Sequence, residues 1–318
     1  MRLPNCFIVG APKAGTTSLY YHLDQHPDIF MSPMKETCYF SPEMRRERFA
    51  PSLQPLLRDG QERLRAYLDS PPLGKRFGGI VSEWKDYCSL FEGVGDQAVV
   101  GEASPCYLWS QTAARRIASL VPNAKIIMIL RNPIERAFSQ YLQMANCGDC
   151  GSFERHLEAC LANTRTDEIS MLHPFLEFGL YAQQVARYTE MFPPSQIGLW
   201  LYEETRAPGF LSGVYDFLGV DDEFVADTST RHLEQQMPRV PGFTRMPGWS
   251  KVADGLRSIF PRASRPFLKR LIYRPRGAMR MSARVRSTLA EYYGPDISRF
   301  QTLLQRDLSH WVDGALGD

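Results

Sequence analysis

Three sets of residues in this 318-residue chain have the types and spacing to do chemistry. The first lies in FIVGAPKAGTTSLYYHL, from Phe7 to Leu23. Gly10 and Gly15 bracket a short loop between an apolar run and a helical pattern. Such a loop aims backbone N–H groups and a helix N-terminus at an anion. Gly15 lets the backbone approach closely, and Thr16, Thr17 and Ser18 add hydroxyl donors at the first helical turn. Lys13 supplies a point charge from inside the loop. In the nucleoside-triphosphate form of this loop the lysine follows the second glycine directly; here that position is Thr16. The second is Arg131 in LRNPIERAFSQY, whose guanidinium fork suits a phosphate. The third is Glu36 in MSPMKETCYFS. It reads either as a base for a nearby hydroxyl or as a loop acid partnered with Lys35.

These residues need a scaffold, and short apolar runs followed by helical patterns supply one. Cys6–Gly10, Ala98–Glu102, Ala124–Leu130 and Gln196–Tyr202 read as buried strands. The run AKIIMIL is continuous and apolar, as a strand covered on both faces should be. Helical patterns begin at Thr16, span Gln111–Val121, follow Arg131 with Pro133 in the first turn, and end near Leu218–Gly219. Alternating strands and helices predict an α/β fold: a central, mainly parallel sheet of about five strands flanked by helices in three layers. Arg131 then falls at the end of the central strand, where ligands of open sheets collect.

Residues 1–318 read as a single domain with two decorations. Segment 41–95, rich in Pro, Gly, Arg and Asp with short helical pieces, is expected to be an insertion or lid. Segment 231–286 is irregular and basic. Its stretch 251–286 has four readings: closing over a phosphate, holding an acidic acceptor, touching an anionic membrane surface, or forming a solvated face. The last segment returns to helix, with a break expected at Gly294–Pro295. Composition is that of an ordinary globular protein, 44% hydrophobic and 23% charged with formal charge +2. Seven scattered cysteines do not make a disulfide framework. Cys147 and Cys150 form a single C-x-x-C, too few ligands for a structural zinc site. Neither a signal peptide nor a membrane-spanning run is seen, so a cytoplasmic location is expected.

The loop PKAGTTSL resembles the 5′-phosphosulfate loop of sulfotransferases that use 3′-phosphoadenosine 5′-phosphosulfate (PAPS). In that family the lysine belongs inside the loop, because the ligand has no β- and γ-phosphates to span. LRNPIERAFSQY resembles the family's 3′-phosphate segment. MSPMKETCYFS, GEASPCYL and the closing helices resemble elements of its carbohydrate-type and bacterial branch. LYEET is similar to a stretch whose tyrosine, here Tyr202, lies near the adenine. The resemblance runs almost end to end.

It implies a P-loop-like fold and transfer of the sulfuryl group from PAPS to a hydroxyl of a sugar, glycolipid or small metabolite. Lys13, Ala14, Gly15, Thr16, Thr17 and Ser18 would hold the phosphosulfate, and Arg131 and Ser139 the 3′-phosphate. Tyr202 would hold the base, Arg239 would sit on a closing segment, Glu36 would be the general base, and Lys13 would stabilise the leaving phosphate. No metal is required, and no nucleic-acid platform is evident. Departures from the branch are Cys38, Ala103 and Thr17, where some glycosaminoglycan enzymes carry histidine, lysine and arginine. These argue against an acceptor read as heparan sulfate is. Ser104 and Tyr107 read equally as site lining or as core. The competing classes are a P-loop kinase or NTPase and a non-catalytic nucleotide-binding protein. Acceptor identity and oligomeric state are left open.

Overall fold

The structure is a computed structural model that describes residues 2–147, 151–229 and 280–313, together with the short pairs 237–238 and 273–274. Its sheet has five parallel strands: β1 (Cys6–Gly10), β2 (Ile29–Met31), β5 (Val99–Ala103), β6 (Lys125–Leu130) and β7 (Ile197–Leu201). Their spatial order is β2-β5-β1-β6-β7. Every residue of β1 and β5 is buried, and in β6 only Lys125 is not. Unbroken apolar runs thus became the strands with helices on both faces.

From β1 the chain passes through α1 (Thr16–Leu23) to β2 on one side of the sheet. From β6 it runs through α5 (Pro133–Cys147) toward β7 on the other side. The connections leaving β1 and β6 therefore diverge, and a crevice opens at their C-terminal ends.

Helices α4 (Ala113–Leu120), α6 (Phe153–Ala162), α7 (Tyr181–Thr189) and α8 (Phe210–Leu218) complete the helices that alternate with the strands. Gly219 closes α8 in the left-handed region at φ 76°. The closing helix α9 (Ala283–Leu304) runs straight through Pro295. The expected break is absent because tertiary contacts hold both halves. Tyr293, Asp296, Ile297 and Phe300 are buried, and the Asp296 carboxylate accepts the Ala182 N–H at 3.1 Å. These contacts offset the hydrogen bond that proline cannot donate. Trp311 of α10 (His310–Asp313) packs on Tyr181 and Phe300.

Segment 41–95 contains α2 (Gln54–Leu68), longer than the short pieces expected from its composition, and α3 (Trp84–Ser89). Its two-residue strand β4 (Arg76–Phe77) pairs in parallel with β3 (Met34–Lys35). The backbone ladder continues past the strands. Gly78, Gly79 and Val81 donate to the carbonyls of Lys35, Glu36 and Thr37 at 2.9, 3.2 and 2.9 Å.

A candidate active-site cleft

Gly15 caps α1 at φ 93°, and Lys13 also adopts a positive φ of 67°. The chain folds back over the end of β1, and the α1 N-terminus faces the crevice with Thr16, Thr17 and Ser18 on its first turn. The φ at Gly15 favours glycine, and a Cβ there would also stand a tight 3.3 Å from the edge of the Tyr202 ring. Tyr202 opens the 3₁₀ turn after β7. The Arg131 guanidinium lies 4.8 Å from its ring centroid, and Arg206 lies 5.6 Å from it. Arg131, immediately after β6, also donates to the Lys13 carbonyl at 3.3 Å. One arginine thus ties the ends of β1, β6 and β7 together.

Glu36 directly follows β3 with φ 66°, and its N–H donates to the Ala103 carbonyl at 2.8 Å. The Lys35 ammonium, 1% exposed, donates to Glu36 Oε1 at 2.7 Å, while the Glu36 side chain is 32% exposed. Glu36 is thus paired with Lys35 and also lines the cleft. Lys13 Nζ donates to Gln143 Oε1 at 2.8 Å. Its pKa is lowered to about 8, first by burial, with the charges of Arg131, Lys35 and Arg136 adding to the effect and Glu36 opposing it.

A cavity of about 570 Å³ joins these groups: Lys13, Gly15, Thr16, Thr17, Ser18, Glu36, Arg131, Ser139 and Tyr202 all line it. Ala14 does not. It is fully buried, and its N–H donates to the Ala11 carbonyl at 3.2 Å. Arg239 lies outside the described residues, as do Cys150 and the side chain of Cys147.

Gln143, Gln140 and His22 also line the cavity. Gln143 was legible in principle, because it stands four residues after Ser139 on one helical face. Arg136, the second arginine of that segment, is fully buried and donates to the Phe175 carbonyl at 2.6 Å. Ser104 and Tyr107 are fully buried as well, which places them in the wall beneath the cleft. A larger cavity, about 850 Å³, lies beside Trp109, His173 and Arg187, shares no lining residue with the first and contains none of the expected site residues. We take the smaller cavity as the candidate site because it alone gathers the loop, the arginine and the carboxylate. Among the described residues no cluster of three or more His, Cys, Asp or Glu could hold a metal ion, and no helix is long and apolar enough to cross a membrane.

Comparison with known proteins places these features in a family. The pattern of the sulfotransferase family matches residues 4–223. A sulfotransferase crystal structure from Alicyclobacillus acidocaldarius superposes with a TM-score of 0.70 at 30% identity, covering 98% of this chain and 99% of that one. The membrane-associated sulfotransferase kil1 of Dictyostelium discoideum is 32% identical over 142 residues, 44% of this chain. Human carbohydrate sulfotransferase 15 is 28% identical over 61% of this chain. Human heparan sulfate glucosamine 3-O-sulfotransferase 6 is 26% identical over 69% of it. The matches span 22%, 39% and 53% of the lengths of these three relatives.

Proposed function

This chain belongs to the sulfotransferase family, and on that premise we propose that it transfers the sulfuryl group of PAPS to a hydroxyl of a sugar, glycolipid or small metabolite. The observation that carries this reading is one cleft, lined by the Lys13 loop and Arg131 and opening on Glu36. The loop N–H groups and the Thr16, Thr17 and Ser18 hydroxyls receive the phosphosulfate, and Arg131 and Ser139 receive the 3′-phosphate. Tyr202, already stacked under Arg131, offers its ring to the adenine. Glu36 takes the acceptor's hydroxyl proton as the acceptor oxygen bonds to sulfur. The bond from sulfur to the phosphate oxygen breaks, and Lys13 meets the charge left on that oxygen. The products are a sulfate ester and adenosine 3′,5′-bisphosphate (PAP).

The names of the carbohydrate and heparan sulfate relatives support a glycan as one acceptor class. The buried Ala103 and the thiol of Cys38 support an acceptor read without the basic and imidazole contacts of glycosaminoglycan enzymes. We read 1–318 as one domain in which 41–95 closes over the acceptor side of the cleft.

Calorimetry with PAP tests the reading directly: micromolar binding is expected, and no heat at millimolar PAP overturns it. Lys13 gives that titration a pH dependence. With its pKa at about 8, the ammonium is mostly charged at pH 7 and mostly neutral at pH 9. PAP affinity should therefore fall about tenfold between those pH values. Lys13→Arg, whose guanidinium stays charged, should flatten the profile. A profile equally steep in Lys13→Arg would assign it to another group.

A further inference from the structure

We propose that Glu102 is a positioning residue for the Glu36 loop, the common acceptor in which the hydrogen bonds holding that loop terminate. The proposal rests on Glu36 as the base. Glu36 and Cys38 both adopt left-handed φ, 66° and 56°, although neither is glycine. Such residues are strained and persist only where the surroundings over-determine them.

The determining contacts run in one direction. Phe40 N–H donates to the Tyr107 hydroxyl at 3.3 Å, so that oxygen acts as an acceptor there. The Tyr107 and Thr37 hydroxyls are 3.1 Å apart, and Thr37 Oγ1 also accepts the Tyr39 N–H at 3.4 Å. The single Thr37 hydroxyl hydrogen goes to Glu102 Oε1 at 3.1 Å, which leaves Tyr107 as donor to Thr37. On the second branch, Cys38 N–H donates to Ser104 Oγ at 3.1 Å, and Ser104 donates to the same Glu102 Oε1 at 2.6 Å. Three consecutive loop N–H groups, of Cys38, Tyr39 and Phe40, thus feed through three hydroxyls into one carboxylate oxygen. Because that oxygen only accepts, it fixes which way every hydroxyl points.

Glu102 is an expensive residue to keep in this place. It is 0% exposed, its Oε2 makes no hydrogen bond of ordinary geometry among the described residues, and burial pushes its pKa up to about 7 against the opposing influence of Ser104, Tyr107, Thr37 and Lys35. A polar group retained at that cost marks a functional requirement rather than a packing one.

The test compares Glu102→Gln, which keeps an acceptor oxygen, with Glu102→Met, which does not. Glu102→Met should raise deuterium exchange of amides 38–40 by tenfold or more. It should also slow label transfer from sulfur-labelled PAPS into a metabolite extract by tenfold or more, with PAP affinity within about threefold of the parent. Glu102→Gln should stay within about threefold of the parent on all three readouts. Should Glu102→Met not fold, Thr37→Val cuts the longer branch alone and should expose amides 39 and 40 while sparing 38. Unchanged exchange and transfer in whichever of these two variants folds overturns the proposal, as does Glu102→Gln failing as badly as Glu102→Met. Glu36→Gln serves as the control. If it transfers label normally, the base assignment has failed instead, and the exchange results still decide what Glu102 does.

Discussion

Replacing Glu36 by glutamine is expected to slow sulfuryl transfer about a thousandfold, within the range typical of a lost general base, while PAP affinity stays within about threefold. Glutamine keeps the volume and can still accept the Lys35 hydrogen bond, which spans 2.7 Å to Glu36 Oε1. It cannot take a proton from the incoming hydroxyl. The substitution has one side effect that the assay must allow for. Glu36 raises the pKa of Lys13, so its loss lowers that pKa further below about 8. Measurement at about pH 6.5 keeps Lys13 mostly charged in the parent and reduces this side effect in the variant, so the difference in rate reports mainly the proton transfer. Turnover equal to the parent's at that pH would remove Glu36 from the role.

Arg131→Met should weaken PAP binding by about 30- to 150-fold, the cost of about 2 to 3 kcal/mol for a lost charge-assisted contact. Adenosine 5′-monophosphate, which lacks the 3′-phosphate, should lose much less. Methionine retains an apolar stem against the Tyr202 ring, so the comparison isolates the guanidinium. Arg131 has a second task, its donation to the Lys13 carbonyl at 3.3 Å. If both nucleotides lose affinity equally, the arginine acts by shaping the loop and not by gripping the 3′-phosphate.

The inner strands β1, β5 and β6 were legible because they are buried almost throughout, whereas the three-residue edge strand Ile29–Met31 was not expected. In Lys125–Leu130 the apolar run leaves no solvent face to interrupt it, and the strand begins within one residue of the expected start. The anion loop was legible because one of its positive φ angles falls on Gly15 and its charge on Lys13, although Lys13 itself also takes a positive φ that its residue type does not announce. The loop's interior was not: Ala14 spends its N–H on Ala11, which depends on how the chain folds back over β1.

Pro295 misled for a related reason. Local propensity says break, and burial of Tyr293 and Ile297 on either side overrides it. The relay under Glu36 was hidden because Thr37 lies 65 residues from Glu102 and 70 from Tyr107, and parallel pairing around β5 brings them together. Nor does the sequence announce that Glu36 and Cys38 need left-handed backbone, since neither is a residue that prefers it.

The ladder from Lys35 through Thr37 to Gly78–Val81 bears on anyone who would re-engineer this scaffold. Because segment 41–95 is stitched by its own backbone to the strand that ends just before Glu36, a chimera that imports this segment from a homologue also imports a new hem for the proposed proton acceptor. Grafts bounded at residues 33 and 104 carry both sides of the seam, and those bounded at 41 and 95 tear it.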